Sequence, residues 1–144
     1  MPVFYVDMVN MARLIDVEGI GKVYAEKLGA AGIDTTEKLL EACGSKKGRS
    51  SIAEKTGISE KLILEWVNLS DLYRIKGVGE QYSDLLEEAG VDTVAELAHR
   101  NPENLYNKMI EVNEQKNLVN RAPWLSSVES WVKQAKELPR KVEY

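Results

Sequence analysis

Apolar residues recur along this chain at helical spacing, three or four apart, and sustained two-residue alternation is absent. The pattern predicts helices and essentially no sheet. Tyr24 with Leu28, and Tyr82 with Leu86, each form an i,i+4 stripe within the predicted helices 22–31 and 80–89. Gly32 and Gly90 follow as stops. Thr35, Ser59 and Thr93 stand where helix caps are needed, and Glu96 completes a capping box with Thr93. Asn101-Pro102 opens another helix, with Leu105, Met109 and Val112 on one face. Leu62, Ile63, Trp66 and Val67 mark one further buried face, and Val128, Trp131, Val132 and Ala135 the last. Met1–Asp7 is the one stretch with an extended reading.

The stripes fall into a repeat. Residues 14–39 align with residues 72–97 at a constant offset of 58, without gaps and with ten identities. Leu14/Leu72, Gly19/Gly77, Gly21/Gly79, Tyr24/Tyr82 and Leu28/Leu86 are among them. Such self-similarity indicates a duplication, giving units 1–70 and 71–144. Trp66 and Trp131 close the two units 65 residues apart, so the second carries about seven extra residues, expected within 111–123. The expected architecture is all-α, two tandem pseudo-repeated units packed as one helical protein.

The repeated core reads apolar-x-x-apolar-x-Gly-apolar-Gly, followed by a helix. Two glycines around one apolar residue permit a tight reversal, with Ile20 or Val78 pinned between two helices. The next helix then starts with unpaired N–H groups, which with the helix dipole favour an anion. These residues resemble the helix-hairpin-helix motif in both copies. Nearly the whole chain is similar to a microbial family of unknown function with two such units. The resemblance implies a grip on one phosphate of a DNA strand by backbone at Gly19, Ile20 and Gly21, and at Gly77 and Gly79, blind to base identity.

The copies differ where it matters. Lys22 adds a cation beside the first expected phosphate, whereas Glu80 adds a carboxylate beside the second. Lys76, whose counterpart is Glu18, compensates only in part. A second basic candidate is the polar stretch Ser45–Ser51, with Lys46, Lys47 and Arg49 ahead of a helix expected to start near Ser50. If that stretch lay beside the first hairpin, Lys22, Lys46, Lys47 and Arg49 would form one basic face.

Composition moderates this picture. Net charge is −4 over 144 residues, with −1 in residues 1–70 and −3 in 71–144. A dedicated nucleic-acid binder usually carries a basic patch or stripe. No apolar run approaches the ~20 residues of a membrane span, and no signal peptide is legible. With Cys43 alone, an intramolecular disulfide is impossible and a cytoplasmic setting is expected. His99 and Cys43 lie outside any metal-ligand spacing, and no nucleotide or nucleophile motif is present, so neither metal, cofactor nor catalytic centre is expected. His99 is expected near a helix C-terminus. Trp66 and Trp131 are expected in the core; Trp124, after Pro123 in a loop-like stretch, is the best candidate for an exposed aromatic, with packing over the core expected ahead of a partner contact. Two functions remain open: weak, non-sequence-specific DNA binding through the first hairpin, or a protein-interaction scaffold that has lost nucleic-acid binding.

Overall fold

The computed structural model describes residues 12–17 and 19–144. The Met1–Asp7 stretch and Glu18 lie outside the described residues. Among the described residues the secondary structure is helical, with one isolated bridge between Arg13 and Thr35 and no strand. A short 3-10 turn, Leu14–Asp16, precedes α1 (Gly21–Ala30), α2 (Thr36–Cys43), α3 (Lys46–Thr56) and α4 (Glu60–Leu72). Then follow α5 (Glu80–Glu88), α6 (Val94–Ala98), α7 (Pro102–Lys116) and α8 (Leu125–Glu137).

The helix starts follow side-chain chemistry. Thr35, Ser45, Ser59, Thr93 and Asn101 each accept a hydrogen bond from the backbone N–H three residues on, at 3.0–3.2 Å. Pro102 occupies the first turn of α7, where its missing N–H costs nothing. The Ser45 cap moves the start of α3 back from the expected Ser50 to Lys46. Gly48, in that first turn, packs so closely on the Ala42 carbonyl that a Cβ would not fit. The absence of a side chain is what lets α3 fold against α2. After α7, Asn113 clamps the chain by donating to the Val119 carbonyl at 3.2 Å and accepting from its N–H at 3.0 Å.

Two apolar clusters form the core. One gathers Leu14, Ile20, Leu28, Leu39, Ile63 and Trp66; the other gathers Leu72, Ile75, Leu86, Leu105, Met109 and Trp131. Helix α4 joins them, with Trp66 and Val67 in the first and Leu72 in the second. At its end the buried Asp71 accepts from Arg74 Nη1 at 2.8 Å and from the Val94 N–H at 2.8 Å, fixing the start of α6.

The C-terminal segment 139–144 crosses back to the first half. Val142 is buried in the first cluster. The Glu143 N–H donates to the Gly44 carbonyl at 2.8 Å, and the Tyr144 hydroxyl donates to Asn68 Oδ1 at 3.1 Å. Thus the last residues of the 71–144 half complete the core of the 1–70 half.

Candidate interaction surfaces

The two glycine turns are built from buried apolar pins and glycines whose missing Cβ permits the reversal. In the first, the Ile20 N–H reaches the Val17 carbonyl at 3.2 Å, and Ile20 is 1% exposed. Gly19 and Gly21 hold φ of +89° and +68°, a region that disfavours a Cβ. In the second, the Val78 N–H reaches the Ile75 carbonyl at 3.1 Å, Val78 is buried and Gly77 holds φ +95°. Gly79 differs from Gly21, being extended at φ −107°. Among the described residues, neither α1 nor α5 has a side-chain cap.

An aromatic pair stands over each turn. Tyr24 and Trp66 ring centroids lie 5.1 Å apart at 55°, and Tyr82 and Trp131 lie 5.3 Å apart at 50°. Both geometries suit the ring quadrupoles. A Cβ on Gly19 would lie 4.0 Å from Trp66 Nε1, and one on Gly77 only 2.9 Å from Trp131 Nε1. All four aromatics fall on apolar stripes in the sequence, but helical period alone does not show that they pair. The recurrence of Tyr before a distant Trp in both halves was the available signal. The second turn is held further by Gln134, which accepts from the Lys76 N–H at 2.9 Å and donates to the Lys76 carbonyl at 3.2 Å.

The basic residues singled out from sequence separate in space. Lys22 is exposed at the start of α1, next to Val23, which is 64% exposed. Lys46 and Lys47 face solvent on the first turn of α3. Arg49 points inward. It is buried, and Nη1 donates to the Cys43 and Gly44 carbonyls at 3.1 and 2.9 Å. Its Nη2 donates to the Glu143 carbonyl at 2.6 Å. The polar stretch expected at Ser45–Ser51 is therefore helix, and Arg49 is withdrawn from solvent because these carbonyls need a donor. Gly44 packs on the Lys141 backbone so closely that a Cβ would not fit. The C-terminal segment is thus a direct neighbour of the α2–α3 turn that leads into Lys46 and Lys47.

Two grooves flank α4. The first, of about 200 Å³, runs from Gly19 along Trp66, Leu69 and Tyr73. Its walls carry the carboxylates of Glu65, Glu80, Asp84 and Glu87. Burial pushes the Glu87 carboxyl above its ordinary value, and the charges of Asp92, Asp84, Glu65 and Glu88 add to the shift. The second groove, of about 190 Å³, lies between α6, the end of α8 and the C-terminal segment. Lys136, Arg140, Lys141 and His99 line it.

The remaining candidate groups stay apart. Cys43 is buried beside Arg49, and burial raises its thiol to about 11 although the Arg49 charge opposes the shift. His99 caps the C-terminus of α6 and is exposed. No three potential metal-ligating side chains cluster among the described residues, and none of their helices is long and apolar enough to cross a membrane. Trp124, the best candidate for an exposed aromatic, is 67% exposed and does not pack over the core; the preceding Pro123 is buried.

The features together define an all-α protein with two glycine turns, each under a Tyr–Trp pair, and two oppositely charged grooves. The chain belongs to the family described as a domain of unknown function, DUF4332, which matches residues 7–138. No curated protein and no solved structure matches it.

Proposed function

We propose that this protein is a non-enzymatic, tandem helix-hairpin-helix module that binds a protein partner carrying a basic, partly apolar segment. The offset-58 repeat and the two Tyr–Trp pairs support the two-unit reading. One observation carries the choice of partner. The first turn opens onto a groove with an aromatic and aliphatic floor, walled by Glu65, Glu80, Asp84 and Glu87. A phosphate brought to Gly19 would meet these carboxylates at short range, where like charges repel. A lysine or arginine side chain fits instead, its aliphatic stem along the half-buried Leu62 and Leu69 and its charge among the carboxylates.

Weak DNA binding through Gly19, Ile20, Gly21 and Lys22 is the second reading. The observation favouring it is the absence of a side-chain cap on α1 beside the exposed Lys22, which leaves N–H donors for a phosphate. Arg49 no longer supports it, being held by three carbonyls, and Gly77 and Gly79 lead into Glu80.

Fluorescence anisotropy separates the two. Labelled duplex and single-stranded DNA, and a labelled lysine- and leucine-containing peptide, are titrated from low to physiological salt. Peptide binding lost in Glu65→Lys and Glu80→Lys, without DNA affinity at about 150 mM salt, supports the protein-partner reading. Salt-sensitive DNA binding lost in Lys22→Glu overturns it.

A further inference from the structure

We infer that the groove between α6, the end of α8 and the C-terminal segment is a site for a small organic anion, a phosphate or carboxylate on a short apolar body. Its floor is apolar, with Val94, Ala98, Ala135 and Val142. Its rim brings Lys136 from the last turn of α8 together with Arg140 and Lys141 from the segment beyond. A helix C-terminus by itself favours one cation; it does not account for the other two.

Among the described residues, no side chain pairs with these charges as a counterion. Among the described residues, Asp71 is the one acidic side chain lining the groove. It is buried and already holds Arg74 Nη1 and the Val94 N–H, each at 2.8 Å. Among the described residues, Lys136, Arg140 and Lys141 form no ion pair within the 4 Å limit of such contacts. Arg140 is nonetheless oriented: its Nε donates to the Val142 carbonyl at 2.9 Å, and its guanidinium carbon lies 5.9 Å from the centre of the Tyr144 ring. Three basic residues thus line one opening in a chain of net charge −4. An anion placed there relieves their mutual repulsion and gains charge-assisted hydrogen bonds.

Size and position refine the ligand class. A volume of about 190 Å³ holds about six waters, enough for one anionic group and a few carbons. The apolar floor favours a ligand with such a body over a bare inorganic ion. Asp71 falls about half a turn around α4 from the Trp66–Leu69 face that lines the acidic groove. The two grooves therefore act on separate ligands.

The test is a titration of the full-length protein with propyl phosphate, butyrate and inorganic phosphate, followed by amide chemical shifts. Propyl phosphate or butyrate is expected to move signals in residues 93–99 and 135–142, and to bind more tightly than inorganic phosphate. Lys136→Ser and Lys141→Ser, both exposed side chains, are each expected to weaken binding about tenfold. Glu65→Lys and Glu80→Lys are expected to leave the titration unchanged, which separates this site from the partner groove. Absence of shifts, shifts centred on Lys22 or on Lys46 and Lys47, or tightest binding of inorganic phosphate overturns the assignment. Duplex DNA bound through Lys136 and Lys141 in place of the small anions also overturns it.

Discussion

Arg49 Nη2 donates to the Glu143 carbonyl at 2.6 Å, joining residues 94 apart in sequence. The same guanidinium holds the Cys43 and Gly44 carbonyls through Nη1. One buried cation therefore closes the α2–α3 turn and docks the C-terminal segment. Arg49→Met is expected to destabilise the protein by about 3 kcal/mol, because buried carbonyls lose charged donors and stay unsatisfied. Arg49→Lys is expected to recover less than half of the loss, since an ammonium lacks the fork that reaches separated acceptors. Urea unfolding of the three proteins checks both.

The glycine turns are expected to respond unequally to a methyl group. Gly19→Ala meets only the backbone penalty of its positive φ, about 1 kcal/mol. Gly77→Ala meets that penalty and a Cβ placed 2.9 Å from Trp131 Nε1, so its cost is expected to exceed about 2 kcal/mol. Thermal unfolding ranks the two variants, and near-ultraviolet dichroism should report a disturbed tryptophan environment only in Gly77→Ala.

Cys43 is expected to be inert while the protein is folded. Its thiol is raised to about 11 by burial, so at pH 8 almost no thiolate is present and no reagent reaches it. Labelling by a disulfide reagent should proceed only as fast as the native state opens, and at the rate of a free thiol in denaturant. Fast labelling of the native protein would contradict the burial.

Glu87 sets a pH dependence of definite sign. Its carboxyl is raised above 4.5 in the folded protein by burial and by neighbouring carboxylates. The folded state therefore binds the proton more tightly than the unfolded chain does. This group favours folding fully below its unfolded value, and the advantage is lost as pH rises through the folded value. Glu87→Gln is expected to raise the melting temperature at pH 7 and to leave it unchanged near pH 4. Melting curves at the two pH values check the prediction, and an equal gain at both would refute it.

Much of the helical plan is legible in the residue order. Thr35, Ser59, Thr93 and Asn101 cap the helices as their side-chain chemistry requires, and Trp66 and Trp131 are buried where the stripes place them. His99 stands at a helix C-terminus as expected. These are local properties, written in hydrogen bonding between near neighbours and in helical period. The glycine turns are similarly local: Gly-apolar-Gly specifies a reversal, and Ile20 and Val78 are buried in it.

What the tertiary structure alone decided is direction and neighbourhood. Lys46, Lys47 and Arg49 read as one basic stretch, yet Arg49 turns inward because α2, α3 and the distant Glu143 present carbonyls that only a buried donor satisfies. Trp124, in a loop-like stretch, reads as the aromatic best placed for exposure, but only the packing decides that it stands free of the core, with Pro123 buried beside it. The division of charge into an acidic groove beside Gly19 and a basic groove beside Asp71 brings together residues from α4, α5, α6, α8 and the C-terminal segment. Helix period fixes which residues share a face of one helix. Which faces meet depends on long-range packing, and electrostatic fields sum over whatever that packing brings close.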